Sequence, residues 1–452
     1  MLTERRFTTI LLPDGAAVDE LVSIDDRWVA ARVMTDPDLY GLELARIFDR
    51  VWVFVGHETE IPNPGDFVTR YIGADPVIVA RSADGDVHVT LNVCSHRGAT
   101  VCRVECGNAA TFRCPYHAWV YDNTGELLGI FAERDAYGDG LDKGTLSLKR
   151  ARTTAYHGLI FATWNPDAPS LADHFSTMDF YYRIVFGLTD GGFEVAGPPL
   201  RWVENTNWKF AAENLSGDGY HLMNVHKFLD ELGLIPGWSD PTMARGVTSV
   251  YDRRTGDGLQ MAHFFPIDTS DLEAAMVTST TLFGLTETFV PEIMRRLSAD
   301  QLAVFAKGIS AAGTIFPTLS YTALPWPTGD PAEGFSFMRA LRLAQPLGPD
   351  RHVVWTWPLL ARDLPGEEKE RQRRTTLRSF GTAGLVEQDD AEVWSANQRG
   401  IAGVQGRQRR FRYDASRPVN PDWPGPGVAR TAFPDEDNQL NFWARWLELM
   451  TA

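Results

Sequence analysis

The sequence predicts an α+β protein in which an all-β module is inserted into a larger α+β domain. Three observations carry that expectation. Apolar residues repeat at helical spacing near Leu44–Val51, short β-rich runs broken by turns follow from Pro62 onward, and a mixed helix and strand pattern resumes after Pro169. With 452 residues, 44% of them hydrophobic and 23% charged, the chain can build one large domain or two unequal ones with real cores. Disorder, collagen and coiled coil are excluded as descriptions of the whole.

Taken in order, Asp38 to Trp52 is expected to be helical, because Leu44, Ile47, Phe48 and Val51 fall on one face after an Asp36-Pro37 start signal. Pro62-Asn63-Pro64-Gly65 turns the chain. Strands are expected at Asp66–Tyr71, Val77–Ala80, Val87–Asn92 and Gly158–Thr163, separated by turns such as Asp84-Gly85. Beyond Asn165-Pro166 and Ala168-Pro169-Ser170 come a helix over Leu171–Phe186, a strand at Leu200–Glu204, a helix over Asn207–His226, further strands and a helical C-terminal region. The resulting division is 1–49 for the N-terminal helical part of the larger domain, 50–168 for the β module and 169–452 for the rest. No internal repeat or low-complexity segment interrupts it.

The net charge is −16, from 43 Lys plus Arg against 59 Asp plus Glu, so the field repels polyanions and no nucleic-acid partner is expected. No apolar run approaches the roughly 20 residues that span a bilayer. The start Met1-Leu2-Thr3-Glu4-Arg5-Arg6 lacks a signal peptide's apolar core and cleavage site. No membrane association and a cytoplasmic location are therefore expected.

The four cysteines, Cys94, Cys102, Cys106 and Cys114, lie close together, whereas a disulfide framework would be spread along the chain. Clustering points to metal. Cys94-x-His96 and Cys114-x-x-His117 are two mixed pairs, as two hairpin tips would present them; Gly98 follows the first and Pro115 lies within the second. Thiolates on one side and imidazoles on the other suit a [2Fe–2S] cluster in which two His replace two Cys on one iron. A Cys₂His₂ zinc site is the chemical rival, although zinc fingers usually keep the two Cys in one pair and the two His in the other. A cluster held by all four cysteines is the other alternative, and it leaves His96 and His117 unexplained.

Cys94-Ser95-His96-Arg97-Gly98 with Cys114-Pro115-Tyr116-His117-Ala118-Trp119 resembles the Rieske motif of the catalytic α (large) subunits of non-haem iron ring-hydroxylating oxygenases of the naphthalene/biphenyl dioxygenase kind. The family commonly has Gly where this chain has Ala118.

A second constellation runs from Glu213 to His226. Asn214, Asp218 and His221 are spaced i, i+4 and i+7, one face of a helix, amid Leu215, Leu222, Met223 and Val225. His226 lies about 140° further round than His221, so the two reach one ion only if the helix ends or distorts between them. Gly217 and Gly219 weaken a regular helix here. Two histidines and a carboxylate make the facial triad of non-haem Fe(II) oxygenases. The carboxylate must come from elsewhere, and Glu387-Gln388-Asp389-Asp390 after Leu385-Val386 is the acidic candidate; spacing alone does not choose among Glu387, Asp389 and Asp390.

The resemblance, which covers almost the whole chain, implies more. It gives an all-β Rieske domain inserted in an α+β catalytic domain, with His221, His226 and Asp390 as ligands of a mononuclear iron. It makes Asp218 a link to the cluster of a neighbouring subunit and Asn214 a neighbour of the iron. It further implies O₂ insertion into an aromatic substrate to give a cis-dihydrodiol, with electrons coming from NAD(P)H through a separate reductase or ferredoxin. The assembly it implies is an α₃ trimer, commonly with small β subunits as α₃β₃. A Rieske monooxygenase or demethylase and an aromatic-acid dioxygenase are the enzymatic alternatives. An electron-transfer-only Rieske protein would have no use for Asn214, Asp218, His221 and His226. Leu215, Leu222 and Met223 around His221 suggest a hydrophobic arene.

Two weaker features complete the reading. His263 could line a pocket or be a structural histidine. Arg407, Arg409, Arg410 and Arg412 form a basic patch suited to an acidic ferredoxin, a subunit contact or simple solvation.

Overall fold

The computed structural model describes residues 9–138, 140–235, 237–238, 240, 247–262, 267–330, 332–431 and 434–452. His263 lies outside them. The chain forms two compact units, Leu44–Leu171, and Met1–Glu43 with Ala172–Ala452. The unit boundaries fall after Glu43 and Leu171, against the sequence-based 49/50 and 168/169. Among the described residues no helix is long and apolar enough to cross a membrane.

The unit Leu44–Leu171 is β-rich. Its seven-stranded antiparallel sheet runs in the order Val53–His57, Leu159–Thr163, Arg150–Tyr156, Val87–Leu91, Asp75–Arg81, Asp66–Ile72, Cys106–Asn108. A three-stranded sheet of Leu127–Gly129, Val120–Asp122 and Thr111–Arg113 accompanies it. The alternation that marked Asp66–Tyr71 and Val77–Ala80 is a register in which Phe67 opposes Ala80 and Val68 opposes Val79, all four buried.

The expected helix Asp38–Trp52 is shorter than the periodicity suggested. It is α-helical over Pro37–Glu43, makes a π-turn over Leu44–Phe48 and stops, because from Val53 the chain must be extended to pair with Leu159–Thr163. The expected helix Leu171–Phe186 is likewise divided by a 3₁₀ turn, Ser176–Met178, in which Ser176 takes a left-handed φ of 51°.

The larger unit is built on a nine-stranded antiparallel sheet. Six of its strands follow one another as neighbours: β1 (Val247–Tyr251), β2 (Gly258–Ala262), β3 (Ser310–Ile315), β4 (Leu319–Pro327), β5 (Phe335–Gly348) and β6 (Arg351–Ala361). Five helices concern the site: α1 (Trp208–Leu215), α2 (Gly219–Val225), α3 (Gly366–Phe380), α4 (Leu385–Ala402) and α5 (Asp437–Thr451). Helix α1 lies against β3, β4 and β5, α3 against β5 and β6, and α4 against α3.

Helix α1 is fixed by charge as well as packing. Lys209 Nζ is 2.6 Å from Glu43 Oε1, both fully buried, and the indole N–H groups of Trp208 and Trp446 donate to the same carboxylate at 3.0 and 2.8 Å. With every Glu43 oxygen engaged, the pair is satisfied rather than merely adjacent, which is what makes a buried charge tolerable.

Candidate metal centres

The first predicted set lies at two turns of the β-rich unit. Cys94 N–H donates to Ala99 O (2.8 Å) and Gly98 N–H to Cys94 O (2.9 Å); Cys114 N–H donates to Trp119 O (2.8 Å) and Ala118 N–H to Cys114 O (3.1 Å). Each turn closes through a left-handed residue, Gly98 at φ 72° and Ala118 at φ 59°. Glycine is free there, but alanine's Cβ is strained, so Ala118 carries a conformational cost that glycine would not.

The four side chains form two pairs. The buried Cys94 and Cys114 thiols face each other, and burial, together with Cys114, pushes the Cys94 thiol up against the opposing hydrogen bond from Tyr121. The His96 and His117 rings lie 4.5 Å apart, and the Trp119 indole stacks on His96 at 4.8 Å with 2° between the planes. Among the described residues the ligand atoms of these four do not all lie within 4.8 Å of one another, as ligands of a single zinc ion would. Paired sulfurs beside paired imidazoles, with His96 Nδ1 buried and unpartnered, fit a two-iron cluster.

The other cysteines are placed differently. Cys102 packs in the same apolar cluster, but its thiol turns to Val104 O (3.6 Å), and its backbone is clamped by Asn92 through two 2.7 Å hydrogen bonds. Cys106 is exposed on a short edge strand.

The second predicted set lies in the larger unit, where the expected continuous helix Asn207–His226 is broken. Helix α1 ends at Leu215, Gly217 takes φ 141°, and Asp218 starts α2 as its cap, accepting the N–H groups of Tyr220 (3.1 Å) and His221 (3.3 Å). Asn214, Asp218 and His221 thus do not share one helical face; they meet across the break, with the Asn214 amide 3.3 Å from Asp218 Oδ2 and 3.2 Å from His221 Nδ1. Helix α2 ends at Val225, and His226 as its C-cap residue swings out of helical register. That is the distortion the 140° separation required.

His221 Nε2 and His226 Nε2 lie 3.5 and 3.4 Å from Asp390 Oδ1. These three residues offer ligand atoms within 4.8 Å of one another, the one such group of three among the described residues. The structure also separates the three acidic candidates on α4. Glu387 is turned away into a buried ion pair with Arg342 of β5, Asp389 is 38% exposed and nears only His226 Nδ1 (3.6 Å), and Asp390 is buried between both imidazoles.

The electrostatics favour a cation at this point. Burial works to lower the His221 pKa, but Asp218 and Asp390 outweigh it and raise it to about 9. Neither ring nitrogen of the fully buried His226 makes a hydrogen bond. With the Asp218 carboxylate placed to take the proton of His221 Nδ1, the neutral ring keeps its Nε2 lone pair for a ligand bond. Two imidazoles and one carboxylate, with both ring nitrogens of His226 unpartnered, fit a divalent first-row metal.

Beside the triad lies an apolar pocket. Leu215, Leu222 and Met223 come from the helices, Leu324, Trp326 and Met338 from the sheet. Trp238 Nε1–H donates to Leu222 O (3.0 Å) and meets Trp326 edge-on at 6.0 Å, and both indoles line the pocket. Spacing carries no signal for these aromatics or for Arg342, because their roles depend on which distant segments the fold brings to the pocket.

Comparison with known proteins agrees with this arrangement. Residues 51–137 match the Rieske [2Fe-2S] domain family. The chain is 34% identical to biphenyl 2,3-dioxygenase subunit alpha of Rhodococcus jostii (strain RHA1), over 97% of this chain and 93% of that one. It belongs to the α subunits of the Rieske ring-hydroxylating oxygenases. This oxygenase is also 35% identical to N,N-dimethyl phenylurea N-demethylase subunit alpha of Sphingobium sp. (strain YBL2), over 97% of this chain and 95% of the relative. Its structure matches naphthalene 1,2-dioxygenase from Rhodococcus sp. bound to indole with a TM-score of 0.87, 38% identity and 94% coverage of each chain. It is an oxidoreductase of the Rieske dioxygenase type with an all-β Rieske domain and a larger catalytic domain, and the electron-transfer-only alternative falls away.

The basic patch is partly spoken for. Arg412 pairs with Asp414 at 2.7 Å, Arg410 lies 3.8 Å over the Trp28 ring and Arg407 donates to Ala402 O (3.4 Å), while all four arginines remain exposed.

Proposed function

We propose that this α subunit is the terminal component of a multicomponent dioxygenase that adds both atoms of O₂ to an aromatic ring and releases a cis-dihydrodiol. Cys94, His96, Cys114 and His117 would hold the [2Fe–2S] cluster, and His221, His226 and Asp390 a mononuclear Fe(II). The observation that carries the reading is the junction of the His221–His226–Asp390 group with the apolar pocket, since a ring held there lies beside the ligand atoms. The bound cluster and iron supply one-electron transfer and O₂ activation. The protein's part is positional. Leu215, Leu222, Met223 and Trp326 hold the ring by apolar contact and keep water from it, while Asn214 and Asp218 fix the His221 ring from behind.

Electrons would come from NAD(P)H through a separate reductase or ferredoxin, the assembly would be α₃ or α₃β₃, and Asp218 would link the iron site to the cluster of a neighbouring subunit. Turnover of an arene panel under ¹⁸O₂ tests the reading: a cis-diol carrying two labelled atoms supports it. A singly labelled product with loss of an N-alkyl group would instead assign the dealkylation named for the Sphingobium relative.

A further inference from the structure

Apart from the residues around the metal site, two polar side chains that line the pocket carry a buried atom without a hydrogen bond. Gln260 on β2 and Thr322 on β4 are 7% and 3% exposed, both line the pocket, and Gln260 Nε2 and Thr322 Oγ1 are buried without any hydrogen bond. Buried polar groups are almost always paired, and these two orphan atoms sit on residues that line one cavity, which is the place where a ligand could satisfy them.

Their placement is regular. Gln260 stands opposite Ala312 of β3, and Ala312 opposite Thr322. At one strand spacing of about 4.8 Å each, the two backbones are roughly 10 Å apart with only a methyl group between them. A small polar group lying over Ala312 can reach both. The helix break leaves room here: a Cβ on Gly217 would lie 2.3 Å from Asn438 Nδ2 and 3.0 Å from Gln260 Cγ, so glycine there admits both side chains. Gln260 Nε2 is a donor and Thr322 Oγ1 can donate or accept, which asks for an acceptor oxygen on the ligand. No Lys or Arg is among the described residues lining the pocket, and Asp390 borders it, so the oxygen belongs to a neutral group rather than to a carboxylate.

Resting on the pocket's reading as the oxygenase substrate site, we propose that it is built for an arene bearing a neutral carbonyl substituent, held between Gln260 and Thr322 while the ring lies against the apolar walls. The hydrophobic ring expected from the sequence stands; what the structure adds is a polar grip at one end of it.

The test uses the iron-loaded holoenzyme and two isosteric ligands, acetophenone and α-methylstyrene, which differ by C=O against C=CH₂. Their dissociation constants are measured by calorimetry in wild type, Thr322→Val and Gln260→Met. The affinity ratio of acetophenone to α-methylstyrene is expected to fall roughly ten-fold or more in Gln260→Met and about three-fold or more in Thr322→Val. Thr322→Val, being isosteric at a buried hydroxyl without a partner, keeps the proposal testable should the Gln260 variant not fold, and it should also raise the melting temperature of the ligand-free protein. A ratio unchanged within two-fold overturns the proposal. Because this reads binding, failure to oxidise any arene would count against the dioxygenase assignment and leave the polar grip to be judged by the ratio.

Discussion

The Asp218 carboxylate caps the short helix that carries His221, accepting that residue's backbone N–H at 3.3 Å while its other oxygen stands 3.6 Å from the imidazole Nδ1. One side chain thus sets both the backbone start and the ring orientation of a candidate ligand.

The two tasks can be separated by substitution. Asp218→Ala removes the cap and should cost about 1 kcal/mol of stability in urea unfolding, whereas Asp218→Asn can still accept the N–H groups and should cost little. Both remove the charge beside His221 and should lose most coupled turnover with the Rieske spectrum intact. A stable, fully active Asp218→Asn enzyme would refute the proposed electron-transfer role.

Ala118 is expected to be a stabilisable position. Its φ of 59° strains an L-residue, so Ala118→Gly should stabilise the cluster-bearing unit by about 1 kcal/mol, read as a higher urea midpoint for loss of the cluster's visible absorption. An unchanged or lower midpoint would show that the turn is not strained by its methyl group.

The Arg342–Glu387 pair is 3% and 2% exposed and lies one helical turn from Asp390. Burial and the Asp390 charge push the Glu387 pKa up, against the Arg342 guanidinium, to about 7. Glu387→Gln strands the arginine and should destabilise by about 3 kcal/mol, with mononuclear iron lost before the cluster. Replacing both partners by leucine should recover most of the stability; an undisturbed single variant would remove the pair from the account.

Glu213, one residue before Asn214, receives hydrogen bonds from Tyr413 and Trp443, yet burial dominates and raises its pKa to about 8. A folded-state pKa above the unfolded value means that its stabilising contribution is full at pH 4.5 and below and is lost as pH rises toward 8. Glu213→Gln lacks that dependence, so its stability relative to wild type should grow by roughly 1.4 kcal/mol per pH unit between about pH 5 and 8, then level off. Parallel urea-unfolding curves for the two proteins across that range would contradict it.

How much of this was legible follows from which interactions are local. Cys94-x-His96 and Cys114-x-x-His117 announce themselves because each turn holds its pair within a few residues. The break at Ser216–Asp218 was half visible, in Gly217 and Gly219 and in the 140° between His221 and His226, but the spacing Asn214, Asp218, His221 suggested one helical face where there is a cap. Asp390 could not be told from Glu387 by spacing; their difference is Arg342, which comes from β5 across the sheet. Gln260 and Thr322 likewise become a pair only through the register of β2, β3 and β4. The early end of the Asp38–Trp52 helix reflects the demand of strand Val53–His57, which overrides local periodicity.

Metal counting on Asp390→Ala distinguishes a mononuclear iron from the irons of the cluster within one chain. Wild type should hold three irons per chain. Asp390→Ala should hold two, with the Rieske absorption unchanged and oxygenation abolished. An Asp390→Ala protein that still holds three irons and oxidises substrate, or a wild type that never exceeds two, would contradict the account.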